Sequence, residues 1–251
     1  MKKRLLLIAS LCVGFVASAA ADSRVTVYFP GQSRPAVITG ASHLEQVALN
    51  PVLAGHTWWP GTIIAEKMAT AVEQERQRQL LARLSTLSGE LRRDNDLDLA
   101  ASVDRVRGQL SAIKVTGRQF VSMDPDVIRL EPGADYALSG DYTVYALAKP
   151  SSVRLFGVLT GTGSEPYQVG KDVSDYLVGH ERLSGADKSV AWLITPDGRA
   201  RSVPVAYWNR RHNEALPGSV IYVGFSSWSL PGDYRDVNDQ IVTLLTHRIP
   251  D

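Results

Sequence analysis

The side chains best suited to metal or acid–base chemistry are spread along the sequence without completing a motif. His180 and Glu181 begin a zinc-protease pattern, but the position that should supply the second imidazole is Ser184. The five histidines have no metal-ligand spacing. Hydrolysis by two carboxylates requires a pair across a cleft, and 26 acidic residues nominate no such pair. The sequence therefore predicts no catalytic residue, no metal site and no cofactor.

Aromatic and cationic residues are the better candidates for ligand or partner binding. Trp58 and Trp59 are adjacent, and Tyr207 and Trp208 are followed after one residue by two arginines. Sugar rings have apolar C–H faces that stack on aromatic rings, and acidic sugars suit the planar guanidinium group. Each pair also has a structural interpretation, because one of two adjacent tryptophans is usually in the core and a tryptophan at a strand end often covers a sheet edge.

Arg118 is the strongest single candidate. It follows Gly117 at the point where strand-like sequence resumes after a long helical stretch, and clefts form at such junctions. A buried arginine needs an anion or several hydrogen-bond acceptors. The sequence leaves open whether that anion is a ligand or an internal carboxylate.

Composition and charge indicate an ordinary globular protein. Its 251 residues include 27 Lys and Arg against 26 Asp and Glu, and 44% are hydrophobic. These values argue against disorder and against a basic surface for nucleic acid.

The N-terminus has the three parts of a cleaved secretory signal. Lys2, Lys3 and Arg4 precede an apolar run over 5–17, and small residues lead up to Asp22. The run is too short to span a bilayer, which takes about 20 residues. We expect a signal peptide over 1–21 and a periplasmic protein. Cleavage would remove Cys12, so the mature chain would have no disulfide.

Hydrophobic patterns divide the rest of the chain into two β-rich parts, a helical stretch and an amphipathic tail. The helical patterns cover 62–88 and 95–110, with a joint near 89–93. The tail has four apolar residues at helical spacing, namely Val237, Ile241, Leu244 and Leu245. The remaining predictions are a short helix starting at 42–45, a helix over 172–179, and strands over 25–29, 36–39, 115–123, 127–130, 142–147, 153–160, 190–195, 200–208 and 220–225.

The two β-rich parts repeat one order: hairpin, short helix, further strands and a turn containing Pro-Gly before a late strand. A helix packed on a small mixed sheet is the β-grasp arrangement in outline. The pattern therefore predicts an α+β protein with two similar β-rich domains, for which the β-grasp arrangement is one candidate. The first domain takes residues 22–150 with a helical insertion at about 60–110, the second takes 151–230, and an amphipathic helix takes 231–251.

This order of parts resembles the GfcC-type periplasmic proteins of capsule and exopolysaccharide operons. Besides the export signal and the tail, the resemblance rests on three short strings: Val25-Thr26-Val27-Tyr28, Trp58-Trp59-Pro60 and Val115-Thr116-Gly117-Arg118. It implies β-grasp domains of the SLBB-like type, similar to those of outer-membrane polysaccharide exporters of the Wza kind. It also implies that Arg118 lies in a pocket.

The leading hypothesis is a non-enzymatic periplasmic accessory protein of capsule or exopolysaccharide assembly and export, which binds polysaccharide, the outer-membrane export protein, or both. The alternatives are an envelope enzyme that modifies glycans with Asp or Glu, and an adaptor that binds only proteins. The tail helix could pack on its own domain, dock on a partner or insert in a membrane.

Overall fold

The computed structural model describes residues 23–55 and 57–250. The predicted signal peptide with Cys12, and also His56, lie outside the described residues. The described part contains two separate sheets and several helices, which confirms the α+β class. Its α-helices are α1 (Leu44–Ala48), α2 (Lys67–Arg93), α3 (Leu97–Ala112), α4 (Pro125–Leu130), α5 (Val173–Tyr176) and α6 (Val237–Thr246).

The first sheet has four strands in the order β2-β1-β4-β3. These strands are β1 (Arg24–Tyr28), β2 (Ala36–Thr39), β3 (Ile63–Glu66) and β4 (Asp141–Tyr145). The β1–β2 pair is the predicted antiparallel hairpin. Strand β1 is parallel to β4, which pairs antiparallel with β3 on its other side. Residues of α1 and α4 join this sheet in a small hydrophobic core.

The second sheet has five strands in the order β6-β5-β9-β7-β8. These strands are β5 (Ser152–Gly157), β6 (Gly163–Pro166), β7 (Val190–Ile194), β8 (Ala200–Pro204) and β9 (Val220–Val223). It again starts with an antiparallel hairpin, whose first strand β5 is parallel to the late strand β9. Strand β9 pairs antiparallel with β7. The two sheets therefore share one connectivity, with β8 added to the second.

The helical stretch interrupts the first sheet but packs on the second. Helix α2 follows β3 directly and runs for 27 residues, and Asp96 caps α3 by accepting a hydrogen bond from the Leu99 N–H at 3.2 Å. Buried residues of both helices share a hydrophobic core with β5, β7 and β9. The Gln109 side chain also bonds both backbone groups of Gly157, at 2.9 and 2.8 Å. The insertion is thus part of the structure of the second half.

The tail helix is packed inside the protein. The four apolar residues that predicted it are at most 2% exposed and belong to the core of the second sheet. Its apolar face is therefore not a free patch of the kind that an adaptor would use. Among the described residues, no helix is long and apolar enough to cross a membrane.

Three local predictions were wrong. Residues 127–130 lie in α4, because Asp124 caps the helix and Pro125 occupies its first turn. Residues 115–123 are extended but form only isolated bridges at Val115 and Arg118. Residues 63–66 form β3, which begins with the β-branched Ile63 and Ile64 and pairs with β4. The helix therefore begins at Lys67, and its joint with α3 falls at 94–96.

Candidate functional site

The segment 115–119 crosses the start of α2 and continues along β3. The Gly117 N–H donates to Thr70 Oγ1 at 2.9 Å, and the Gly117 carbonyl accepts from the Glu66 N–H at 3.0 Å. A Cβ atom on residue 117 would lie 2.3 Å from the backbone nitrogen of Thr70. Only glycine therefore fits here, and this close approach directs the next side chain, Arg118, toward the second sheet.

The Arg118 guanidinium lies between the two halves. Arg118 as a whole residue is 7% exposed. Its Nη2 donates to the Pro196 carbonyl at 2.6 Å, in the turn between β7 and β8. Its Nη1 donates to the Thr246 carbonyl at 3.5 Å, at the end of α6, where the helix dipole favours a cation. Arg118 thus joins a loop of the first half to two elements of the second.

Electrostatics leave this cation incompletely neutralised. Burial lowers the pKa of Arg118 to about 10, and the charge of Asp197 opposes that shift. Arg118 is still protonated at neutral pH. Among the described residues no carboxylate lies within ion-pair distance of it, and Asp197 pairs instead with Arg199 at 3.3 Å. Both of its hydrogen bonds go to neutral carbonyls, so a buried positive charge is available to an anion.

A cavity of about 470 Å³ opens beside Arg118 and is lined by both halves of the protein. Trp59 and Phe120 contribute aromatic surface from the first half, and Asp197 and Arg199 come from the β7–β8 turn. Phe120 is 55% exposed, and its ring centroid lies 5.9 Å from the Arg118 guanidinium carbon. The cavity therefore combines an apolar wall, a buried cation (Arg118), an exposed cation (Arg199) and the carboxylates of Glu131 and Asp197.

The structure brings together only two of the five candidate residues. Trp59 and Arg118 both line the cavity. Trp58 lies beside it and packs on Gly61, where a Cβ would come within 2.5 Å of the indole ring. Tyr207 and Trp208 lie beyond the opposite end of β7 and are 98% and 74% exposed.

Sequence reasoning did not select Phe120, Glu131, Asp197 or Arg199, although all four line the cavity. The turn formed by Pro196, Asp197 and Gly198 is evident from its residue types. What the sequence lacks is any local signal that this turn faces Arg118, which is 78 residues away from Pro196.

A second polar cluster, around the buried Asp172, is explained by the fold. The buried Asp172 caps α5 and accepts from the Ser174 and Asn213 N–H groups at 2.8 and 2.7 Å. Burial raises the pKa of Asp172, but these hydrogen bonds and Arg210 outweigh it, so the net shift is downward. In the part of the chain described, no three His, Cys, Asp or Glu side chains are grouped to hold a metal ion.

Comparisons with known proteins cover nearly the whole chain. The family model described as capsule biosynthesis GfcC, N-terminal, matches residues 21–149. The model described as capsule biosynthesis GfcC C-terminal matches residues 161–250. The chain is also 42% identical over 252 residues to a protein of Escherichia coli strain K12 with the name uncharacterized protein YjbG, and the match covers 100% of both chains.

Proposed function

This chain belongs to the capsule biosynthesis GfcC family, and from that premise we propose that it is a non-enzymatic accessory protein that holds polysaccharide in the Arg118 cavity during capsule or exopolysaccharide assembly. The observation that carries the proposal is a buried, incompletely neutralised guanidinium beside exposed aromatic surface. We propose as its partners the polysaccharide, the outer-membrane export protein, or both.

The cavity suits an acidic sugar. Its volume of about 470 Å³ falls within the range of about 300–1,000 Å³ typical of ligand sites. A carboxylate or another acidic substituent would pair with Arg118, while the apolar face of a sugar ring would stack on Phe120 or Trp59. Because both halves line the cavity, a bound sugar would contact both and stabilise their relative position.

The domain organisation and location belong to the same proposal. We assign residues 22–150 and 151–230 to two SLBB-like β-grasp domains, and the shared strand connectivity of the two sheets supports this assignment. The cationic and apolar N-terminal sequence supports export to the periplasm with removal of residues 1–21.

The direct test measures binding of purified acidic surface polysaccharide to the mature protein by calorimetry. Phe120→Ala and Arg199→Gln alter exposed side chains of the cavity, so they test the site without removing the buried Arg118. We expect each to weaken binding about tenfold, which corresponds to about 1.4 kcal/mol. Arg34→Gln, an exposed charge change in the first half, is the matched control. Equal binding by all four proteins would refute the cavity as the glycan site.

The test in cells is deletion of the gene followed by complementation. We expect the deletion to lower surface polysaccharide and the Arg34→Gln protein to restore it, whereas the two cavity variants restore it only in part. Unchanged surface polysaccharide after deletion, across several growth conditions, would contradict the proposed role. Co-purification from intact cells would distinguish this function from that of an adaptor that binds only proteins. Polysaccharide should be recovered with a glycan-binding protein, and only proteins should be recovered with an adaptor.

A glycan-modifying enzyme is the second candidate, because Glu131 and Asp197 line the same cavity. Asp197 already accepts hydrogen bonds from Thr195 Oγ1 and the Arg199 N–H, which favours a structural role for it. Cleavage of the polysaccharide by the wild-type protein that is lost in Glu131→Gln would establish this alternative. Binding without any change in the chain length of the glycan would support the accessory role.

A further inference from the structure

His247 lies directly behind the wall of the Arg118 cavity. It follows the last residue of α6, and its ring meets the Phe120 ring edge to face, with the two centroids 5.1 Å apart. Phe120 lines the cavity, and its ring centroid is also 5.9 Å from the Arg118 guanidinium carbon. His247 is not itself a lining residue. A charge on this imidazole would therefore act on a ligand from behind the Phe120 ring, without touching the ligand.

The two imidazole nitrogens of His247 face different partners. Nδ1 lies 3.1 Å from the Thr116 carbonyl, which can only accept a hydrogen bond, so Nδ1 carries the proton of the neutral ring. Nε2 lies 3.8 Å from Glu73 Oε1, so the neutral ring turns an unshared electron pair toward a carboxylate. Uptake of a proton at Nε2 converts this repulsion into an ion pair. The geometry therefore sets a proton-accepting atom beside its counter-ion.

Charged groups of two neighbouring elements act on this imidazole. Helix α2 contributes Glu73, which is 6% exposed, and Arg76, whose Nη1 donates to both oxygens of Glu73 at 2.6 and 2.8 Å. The segment 115–119 contributes Arg118. Burial lowers the pKa of His247 below its ordinary value of 6.5, Glu73 opposes that shift, and the charges of Arg76 and Arg118 add to it. The ring is therefore neutral at neutral pH and becomes charged under acidic conditions.

We propose that protonation of His247 tightens the binding of acidic polysaccharide in the Arg118 cavity, so that His247 regulates this site. The role of His247 rests on the proposed function, because its ligand is the polysaccharide proposed for that cavity. With His247 neutral, the cluster holds two cations, Arg76 and Arg118, and one anion, Glu73. Protonation adds a positive charge and no negative one. The added charge attracts an anion in the cavity through the protein interior, where charges are screened less than in water.

His180 provides a matched control, because its surroundings are alike and its position is remote. Its Nδ1 lies 2.9 Å from the Thr160 carbonyl, and its Nε2 lies 3.8 Å from Glu165 Oε1. Thr160 follows β5, and β5 ends at the end of the second sheet opposite to the β7–β8 turn that lines the cavity. Removal of the His180 imidazole should therefore leave the pH dependence of glycan binding unchanged.

The test measures binding of purified acidic surface polysaccharide to the full mature protein by calorimetry, at one ionic strength, at about pH 7.5 and about pH 5.5. Carboxyl groups ordinarily titrate near pH 4, below this interval. The wild type and His180→Gln should bind roughly fivefold more tightly at the lower pH, and His247→Gln should lose most of this difference. Glu73→Gln removes the carboxylate that favours the charged ring, so it should move the increase in affinity to a lower pH.

Proton NMR of the wild type measures the same coupling from the side of the imidazole. The ring resonances of His247 can be assigned by their contact with Phe120, and a pH titration follows them with and without an acidic oligosaccharide of the same glycan. Because linkage is reciprocal, a bound anion should raise the pKa of His247 if protonation of His247 tightens binding. The pKa of His180 should not move. A purely structural role of His247 would change stability without this response to the ligand.

The outcomes distinguish failure of this regulation from failure of the proposed function. If the wild type binds no polysaccharide at either pH, both are overturned. Binding that is equal at the two pH values, or equally pH-dependent in His247→Gln, overturns the regulation alone and leaves the cavity as the glycan site. If His247→Gln does not fold, the NMR titration of the wild type decides, and a pKa of His247 that ignores the bound oligosaccharide overturns the regulation.

Discussion

The two halves of the protein share a strand connectivity but are covered in different ways. The core of the first sheet contains short helices and parts of loops. The core of the second sheet also contains α2, α3 and α6, although α2 and α3 are inserted between two strands of the first sheet. Position in the chain therefore does not determine which core an element stabilises.

The insertion also connects the two halves through side-chain contacts of α2. Arg83 of α2 pairs with Asp236 at 2.7 Å, and the Tyr234 hydroxyl donates to Glu90 Oε2 at 3.0 Å. The first half thus supplies side chains that hold the segment leading into α6. An isolated second sheet would expose the apolar surface that α2 and α3 cover, so we expect the halves to depend on each other for stability.

The largest expected effect comes from comparing one buried leucine in each core. Leu84 in α2 and Leu44 in α1 are both 0% exposed. Each change to alanine should lower the free energy of unfolding by about 2–5 kcal/mol, measured in urea. Hydrogen exchange should locate the damage: Leu84→Ala should lower protection in β7 and β9, and Leu44→Ala in β1 and β4. The reverse pattern would contradict the packing of the insertion on the second sheet.

The next effect tests the crossing of 115–119 over α2. Gly117→Ala places a Cβ against the backbone of Ala69 and Thr70, so it should lower stability by about 3 kcal/mol. Gly108→Ala is the matched control, because that position in α3 has nothing within 4 Å. Alanine there should raise stability by up to about 1 kcal/mol through helix propensity. If Gly117→Ala leaves the thermal unfolding temperature unchanged, the crossing is looser than described.

A smaller effect tests the attachment of α6 to the second sheet. Asn238 Oδ1 accepts from the Tyr222 hydroxyl and the Phe225 N–H, both at 2.9 Å, and Nδ2 donates to the Phe225 carbonyl at 2.7 Å. Asn238→Ala leaves these groups without partners and should cost about 2 kcal/mol in urea unfolding. Asn238→Asp keeps the acceptor but sets a carboxylate oxygen against the Phe225 carbonyl, so it should not recover the loss. A neutral Asn238→Ala would contradict this attachment.

The smallest effect is a pH dependence at the junction of the halves. Burial lowers the pKa of His247 below its ordinary value of 6.5, although the charge of Glu73 opposes the shift. The unfolded chain therefore takes up this proton at a higher pH than the folded protein does. The resulting stabilisation is complete above about pH 6.5 and is lost as the pH falls below it. His247→Gln should flatten that part of the stability curve, and an unchanged slope would refute the assignment.

Several features were predictable because they depend on residues close together in sequence. The hairpin of β1 and β2, the capped start of α3 and the turn at Pro196 follow from residue type and spacing. The four apolar residues of α6 likewise predicted which face is buried. At 127–130 the same reasoning was wrong, because the cap and Pro125 outweighed the β-branched residues.

The site was predictable only in part. Arg118 and Trp59 were nominated from their types and positions, but the cavity also needs Phe120 and the distant β7–β8 turn. No pattern in the sequence indicates that Arg118 meets the carbonyls of Pro196 and Thr246.

The sequence by itself determined most of the secondary structure elements, the buried face of α6, the repeat of two similar halves and the family. Only the tertiary structure decided that α2 and α3 cover the second sheet, that α6 is buried there, and that Arg118 faces a cavity between the halves. The physical reason is that an apolar stripe specifies burial without specifying a partner, because hydrophobic attraction has no direction. The partner is selected by the shape of the whole packed chain.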